Sequence, residues 1–155
     1  MINTDGSVYQ GEWENDKAHG FGHFTHPNGA TYEGDWSEDK QHGHGLEIWP
    51  DKTRFEGAFW EGKKHGKGKF QWSTNSTYTG TFVSNNIHGH GVFIYADGRT
   101  YTGEWQHNKM SGVGTFTWKD GRVYEGQFVD DEREGNGVYC WPDGSKYAGQ
   151  WKEGK

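Results

Sequence analysis

Aliphatic side chains, cysteine and proline are all scarce in this chain. Apolar residues are 30 % of it, so a thick single core of the usual kind is excluded. No apolar run approaches the roughly 18–20 residues that a membrane-spanning helix requires. No signal-peptide pattern is visible at the N-terminus. Cys140 is the lone cysteine, which rules out an internal disulfide and fits a reducing compartment. Positive charge is in deficit: the net charge is −6, which argues against nucleic acid as a partner. With 155 residues the chain has room for one domain and not clearly two.

What the chain does have is rings and glycine. Aromatic residues are 17 % and glycines number 26, whereas disordered segments are poor in aromatics. Both follow a period of 23 residues, seen in Tyr9, Tyr32, Phe55, Tyr78, Tyr101, Tyr124 and Tyr147. Four residues further on stand Trp13, Trp36, Phe59, Phe82, Trp105, Phe128 and Trp151. Between them fall Gly11, Gly34, Gly57, Gly80, Gly103, Gly126 and Gly149. A second half carries Phe24, Phe70, Phe93, Phe116 and Tyr139, followed by Trp49, Trp72, Tyr95, Trp118 and Trp141. Only Phe21 and Trp60 lie off this template.

The unit reads Y-x-G-x-W, a short polar loop, then H-G-x-G-x-F-x-W-P-D-G. Glycine at this density forbids helix. The period-2 spacing of both halves puts their aromatics on one face of a strand, so each unit is a predicted β-hairpin. Pairing Trp13 with Gly20 would set Gly11 against Gly22 and Tyr9 against Phe24. The hairpin loop would end on a residue that tolerates positive φ: Asp16, Asp39, Gly62, Asn85, Asn108, Asp131 or Gly154. Loops such as Pro27–Gly29 predict a type I turn closed by glycine, which keeps the next rings on the same face. Lys52 replaces that glycine, and an altered or strained turn is expected there. The expected fold is all-β: a twisted single-layer antiparallel sheet of thirteen strands, covering residues 1–155 as six hairpins and the first strand of a seventh. The repeat is entered and left mid-unit, as expected of a piece of a longer array or of a larger protein.

The unit resembles the MORN repeat (membrane occupation and recognition nexus), and the resemblance spans essentially the whole chain. It implies an elongated β solenoid and a non-enzymatic interaction module, placed in the cytoplasm with the cytoskeleton or a membrane, at the cell cortex or in a cilium. Proteins with such repeats include cortical scaffolds, radial-spoke components, junctophilins and plant lipid kinases. A protein-binding scaffold is the leading reading. The alternatives are a membrane-apposition module for anionic phospholipids and a regulatory segment of a larger lipid kinase or methyltransferase.

Three candidate surfaces follow. The first is the ring face, where a valley of paired glycines (Gly11, Gly22, Gly34, Gly45 and onward) is flanked by the aromatics named above, from Tyr9 to Trp141. Either the rings fill this valley as the sheet's own core, or a groove remains for a partner's helix or peptide. The second is a basic cluster of Lys52, Arg54, Lys63, Lys64, Lys67 and Lys69, suited to anionic lipid or an acidic partner. The third is the last strand, where Tyr147, Gly149 and Trp151 offer an edge for self-association as a homodimer. No catalytic or cofactor site is expected, since a one-layer sheet encloses no pocket to separate carboxylate pKa values. The carboxylates Glu12, Glu33, Asp35, Glu56, Glu104 and Glu125 read as a solvated face opposite the rings. Equivalent histidines such as His19 and His42 stand about 9.5 Å apart, two strand spacings, too far to share one metal ion.

Overall fold

A computed structural model of the chain describes residues 4–154. They form thirteen antiparallel strands that neighbour one another in chain order in one sheet. The strands are β1 (Val8–Glu14), β2 (Lys17–Thr25), β3 (Thr31–Ser37), β4 (Lys40–Ile48), β5 (Arg54–Trp60), β6 (Lys63–Gln71) and β7 (Thr77–Val83). They continue with β8 (Asn86–Ile94), β9 (Thr100–Gln106), β10 (Lys109–Thr117), β11 (Val123–Val129), β12 (Glu132–Cys140) and β13 (Lys146–Trp151). Contacts divide them into two compact units: Met1–Ser73 with Phe82–Asn85, and Thr74–Thr81 with Asn86–Lys155.

The glycine register is as expected, with Gly11 facing Gly22 and Tyr9 facing Phe24. The expected pairing of Trp13 with Gly20 is not found; Trp13 faces Ala18, and the hairpin closes at Glu14 and Lys17. The cause lies in the turn. Both of its residues take positive φ, 51° at Asn15 and 63° at Asp16, so it is a two-residue type I′ turn rather than a longer loop. The leftover residues of β2 are absorbed in a bulge, at which Gly20 has φ of 80°. The same register break recurs between Gly34 and Trp36, Gly57 and Phe59, and Gly126 and Phe128.

The links between hairpins are the three-residue turns predicted. Gly29 N–H donates to His26 C=O at 3.0 Å, and His26 N–H donates to Ala30 C=O at 2.7 Å. The aspartate of the turn accepts the N–H two residues on, as Asp51 does from Thr53 at 2.9 Å. These backbone bonds are the leading cause holding the carboxyls of Asp51, Asp97 and Asp120 below the ordinary aspartate range. Of the altered or strained turn expected at Lys52, the structure has the strained one: the turn keeps its form and Lys52 takes the glycine conformation. Lys52 N–H reaches Trp49 C=O at 2.8 Å, and Lys52 itself adopts φ of 75°. A Cβ in that region costs about 1–2 kcal/mol. Lys52→Gly is therefore expected to raise stability by about 1 kcal/mol in urea unfolding.

Hairpin tips are clipped to the preceding hairpin. Asn108 N–H donates to Ile87 C=O at 2.9 Å, and Asn108 Oδ1 accepts Ile87 N–H at 2.7 Å. Asp39 does the same to Ala18, and Asp131 to Met110. The Asp/Asn column thus tolerates positive φ and also closes a second hydrogen bond between neighbours. Asn108→Gly removes only the side-chain bonds, the one from Ile87 N–H and an exposed one donated to Asn86 Oδ1 at 3.0 Å, and should cost about 1 kcal/mol. Asn108→Ala adds backbone strain and should cost about 1 kcal/mol more. Equal melting temperatures for the two variants would show that the turn carries no strain.

Candidate interaction surface

The first tyrosine column fills the glycine valley. A Cβ on Gly11 would lie 2.4 Å from Gly22 Cα, so only glycine lets the paired strands and the covering ring coexist. Tyr32, Phe55, Tyr78, Tyr101 and Tyr124 have no exposed surface. Each tyrosine hydroxyl donates to the carbonyl three residues on, as Tyr9 does to Glu12 at 2.7 Å and Tyr101 to Glu104 at 2.8 Å. Burial pushes the Tyr78 phenol up to about 12. The second column stands edge-on to the tyrosines of its own and the previous unit. Trp36 lies 5.2 Å from Tyr32 and 5.3 Å from Tyr9, with its Nε1 donating to Gly22 C=O at 3.3 Å. Trp36, Phe59, Phe82, Trp105 and Phe128 are buried as well. Of the two readings of the valley, self-filling is the one the packing realises. These columns, proposed as groove walls, are the core of a one-layer sheet except near its ends, where Trp13 is 46 % and Tyr147 45 % exposed.

What the ring face leaves partly open is the outer pair of columns, in which Phe116 and Tyr139 alone are buried among the described rings. In the second compact unit they form a zigzag ladder. Centroids are 4.6 Å apart for Phe93 and Tyr95, 5.8 Å for Tyr95 and Phe116, and 4.6 Å for Phe116 and Trp118. The ladder runs on to Tyr139 at 5.3 Å and Trp141 at 4.5 Å. Trp141 is 40 % exposed, and Phe93, Tyr95 and Trp118 are half-buried. In the first unit Trp49, Phe70 and Trp72 form a shorter run, at 5.6 Å and 4.5 Å. Arg99 stacks on Tyr95 at 4.5 Å and Arg122 on Trp118 at 5.0 Å, each held by the turn aspartate of its own loop at 2.8 Å. A cleft of about 380 Å³ opens between the ladder and the hairpin tips, lined by Tyr95, Met110, Trp118, Asp131 and Arg133 among others.

One column on this face lies outside the aromatic and glycine pattern of the sequence: Ala18, Gln41, Lys64, Ile87, Met110 and Arg133. Each follows a hairpin tip by two residues, and those in the registered pairs face the second ring column, as Lys64 faces Phe59. The readable signal was that closing distance from the turn. Lys64 Nζ sits over Trp49, Phe55 and Phe70 at 5.2, 5.4 and 5.9 Å, with Glu47 at 3.6 Å. Arg133 sits over Trp151 at 4.6 Å and Tyr139 at 5.4 Å.

The six basic residues of the third repeat do not gather on one face. Lys64 is on the ring face; Arg54 and Lys69 flank Glu56 on the other, around a hollow of about 280 Å³. Lys63, paired with Trp60, shares that second face, and Lys52 is in its turn. Lys67 adjoins the ring-face Gly68 on β6, so alternation turns it to the second face. The carboxylates are not simply a solvated face. Glu12 accepts the freed N–H of Phe21 at 2.7 Å, and Asp35 that of His44 at 3.2 Å, each inside a bulge. His65 and His88 accept tip N–H groups through Nδ1, from Ser84 at 3.3 Å and His107 at 3.4 Å. Tyr147, Gly149 and Trp151 lie on β13, which pairs with β12; Tyr147 is 45 % exposed and Trp151 is half-buried under Arg133.

A search of curated proteins finds no match. Among solved structures, the chain is similar to the Drosophila melanogaster SAS-4 (dCPAP) TCP domain, solved with a proline-rich motif of Ana2 (dSTIL). Identity is 15 % and the TM-score 0.49, over 97 % of this chain and 88 % of that one. The TCP10 domain of Danio rerio CPAP, solved with a STIL peptide, is 12 % identical with a TM-score of 0.38, over 95 % and 75 % of the two chains. The MORN repeat model matches seven successive segments: 9–31, 32–54, 55–77, 78–98, 101–121, 124–146 and 147–155. With the glycine-paired hairpins, the ring columns and these seven matches in agreement, the chain belongs to the MORN-repeat family.

Proposed function

We propose that this chain is a non-enzymatic protein-interaction module, which binds a peptide segment of a partner along the outer ring ladder. The observation that carries this reading is the ladder from Phe93 to Trp141, whose rings are fixed by contact with one another while Phe93, Tyr95, Trp118 and Trp141 stay partly open around the buried Phe116 and Tyr139. Rigid, partly exposed aromatics are the surfaces that make binding hot spots, because they lose little entropy when covered. The stacked Arg99 and Arg122 hold that geometry and add donors at the rim.

The test begins with peptides selected from a random display library on the folded chain. Trp118→Ala should weaken their binding at least tenfold in calorimetry, as expected for an aromatic hot spot. Trp60→Ala, at a 56 % exposed tryptophan on the opposite face, should leave it unchanged. Selected peptides that bind Trp118→Ala as well as the parent would overturn the reading.

A further inference from the structure

The column facing the second rings holds a cation at two places and is empty-handed at one. Arg133 lies over Tyr124 at 5.9 Å, Tyr139 at 5.4 Å and Trp151 at 4.6 Å. Lys64 lies over Phe55 and Phe70. The same column in the first hairpin carries Ala18, whose single methyl forms part of the wall of a hollow and does not fill it. The ring positions are nonetheless filled: Tyr9, Phe24 and Trp36 are the counterparts of Tyr124, Tyr139 and Trp151, five repeats apart. They enclose, with Trp13, a hollow of about 320 Å³.

Its charge fits what its siblings contain. Asp16 and Asp39 line the hollow. Asp39 gives one oxygen to Ala18 N–H at 2.6 Å, which fixes the carboxylate beside the rings. Tyr9 and Trp36 are edge-to-face at 5.3 Å, and Tyr9 and Trp13 at 4.8 Å, so the walls are braced. The position of Trp49 and Trp118 corresponds to Asn3, which carries no ring and lies outside the described residues, so the hollow has three ring walls of the sibling sites and not the fourth. An aromatic cage with carboxylates at its wall attracts a cation through both ring quadrupole and charge.

We propose that the hollow beside Ala18 receives a lysine or arginine side chain of a partner polypeptide, in the place that Arg133 and Lys64 fill from within. The proposal deepens the docking role assigned to the ring face and rests on it, but it concerns a separate part of that face.

Small probes separate the two. The ¹⁵N-labelled chain is titrated with N-acetyl-lysine methylamide and N-acetyl-arginine methylamide, with the neutral norleucine analogue as control. Saturable shifts of the Trp13 and Trp36 indole N–H signals are expected for both cations, with Kd of ~1 mM. Norleucine should bind at least fivefold more weakly. Ala18→Arg supplies the cation internally and should abolish the shifts, at an unchanged or higher melting temperature. Should that variant fail to fold, Ala18→Met, copying Met110, blocks the same space without charge and should also abolish them. Absent shifts, equal shifts with norleucine, or full binding by a folded filled variant would overturn the proposal. Peptide binding lost in Trp118→Ala would stand regardless, because none of these probes spans the ladder.

Discussion

Gly80→Val should lower the melting temperature by about 10 °C. A Cβ at Gly80 would lie 2.5 Å from Gly91 Cα, 2.6 Å from the Tyr78 hydroxyl and 2.7 Å from His90 C=O. Two of the three obstacles are backbone of the paired strand, which cannot swing aside. The cost should reach the top of the range for overpacking, about 3 kcal/mol, and each kcal/mol shifts the midpoint by about 2–4 °C at this chain length. Gly149 provides the comparison within the same molecule. A Cβ there meets only the Tyr147 side chain, at 2.9 and 3.1 Å, and that ring is 45 % exposed, so it can shift outward at the loss of its 3.1 Å bond to Gln150 C=O. Gly149→Val should cost less than half as much. Equal losses at the two positions would show that backbone approach is not what the glycine pairs protect.

Tyr101→Ala should destabilise the chain by about 3–5 kcal/mol, the range for deleting a buried aromatic ring. Tyr101 has no exposed surface and stands edge-on to Trp105 and Phe128, both at 5.1 Å. Its removal uncovers Gly103 and Gly114 and leaves no second layer to collapse into the gap. Tyr101→Phe keeps the ring and loses only the 2.8 Å bond to Glu104 C=O, so about 1 kcal/mol should go. Phe55 shows that the column accepts a ring without the hydroxyl. Urea unfolding of both variants, with near-ultraviolet circular dichroism, separates ring from hydroxyl. An alanine variant no worse than the phenylalanine one would mean that the tyrosines are not the core.

Hairpin repeats, the face shared by Tyr9, Gly11 and Trp13, and the three-residue links were all legible in one dimension. Strand alternation, glycine spacing and turn residues are local properties that a 23-residue period repeats until they are unmistakable. The hairpin register near the tip, by contrast, differs from the one the sequence predicts. The sequence marks Asp16 as tolerant of positive φ, but the residue before it takes positive φ too, at Asn15 and equally at Glu38 and His107, which no residue type there announces, and this shortens the turn. Gly20 then serves a bulge rather than a ring, and Glu12 becomes a cap for Phe21 N–H.

The candidate surface divided in the same way. The amino-acid order by itself determined which residues share the ring face and that glycine must lie beneath the rings, because both follow from side-chain direction and backbone clearance. Only the tertiary structure decided which rings are core and which are surface. Tyr101 and Tyr95 are the same residue type on the same face. One lies flat over a glycine pair and is wholly covered, while the other stands at the loop end of its strand with Arg99 on it. Burial depends on what the neighbouring hairpin places above a ring, and that is a distance across strands which no spacing along the chain records.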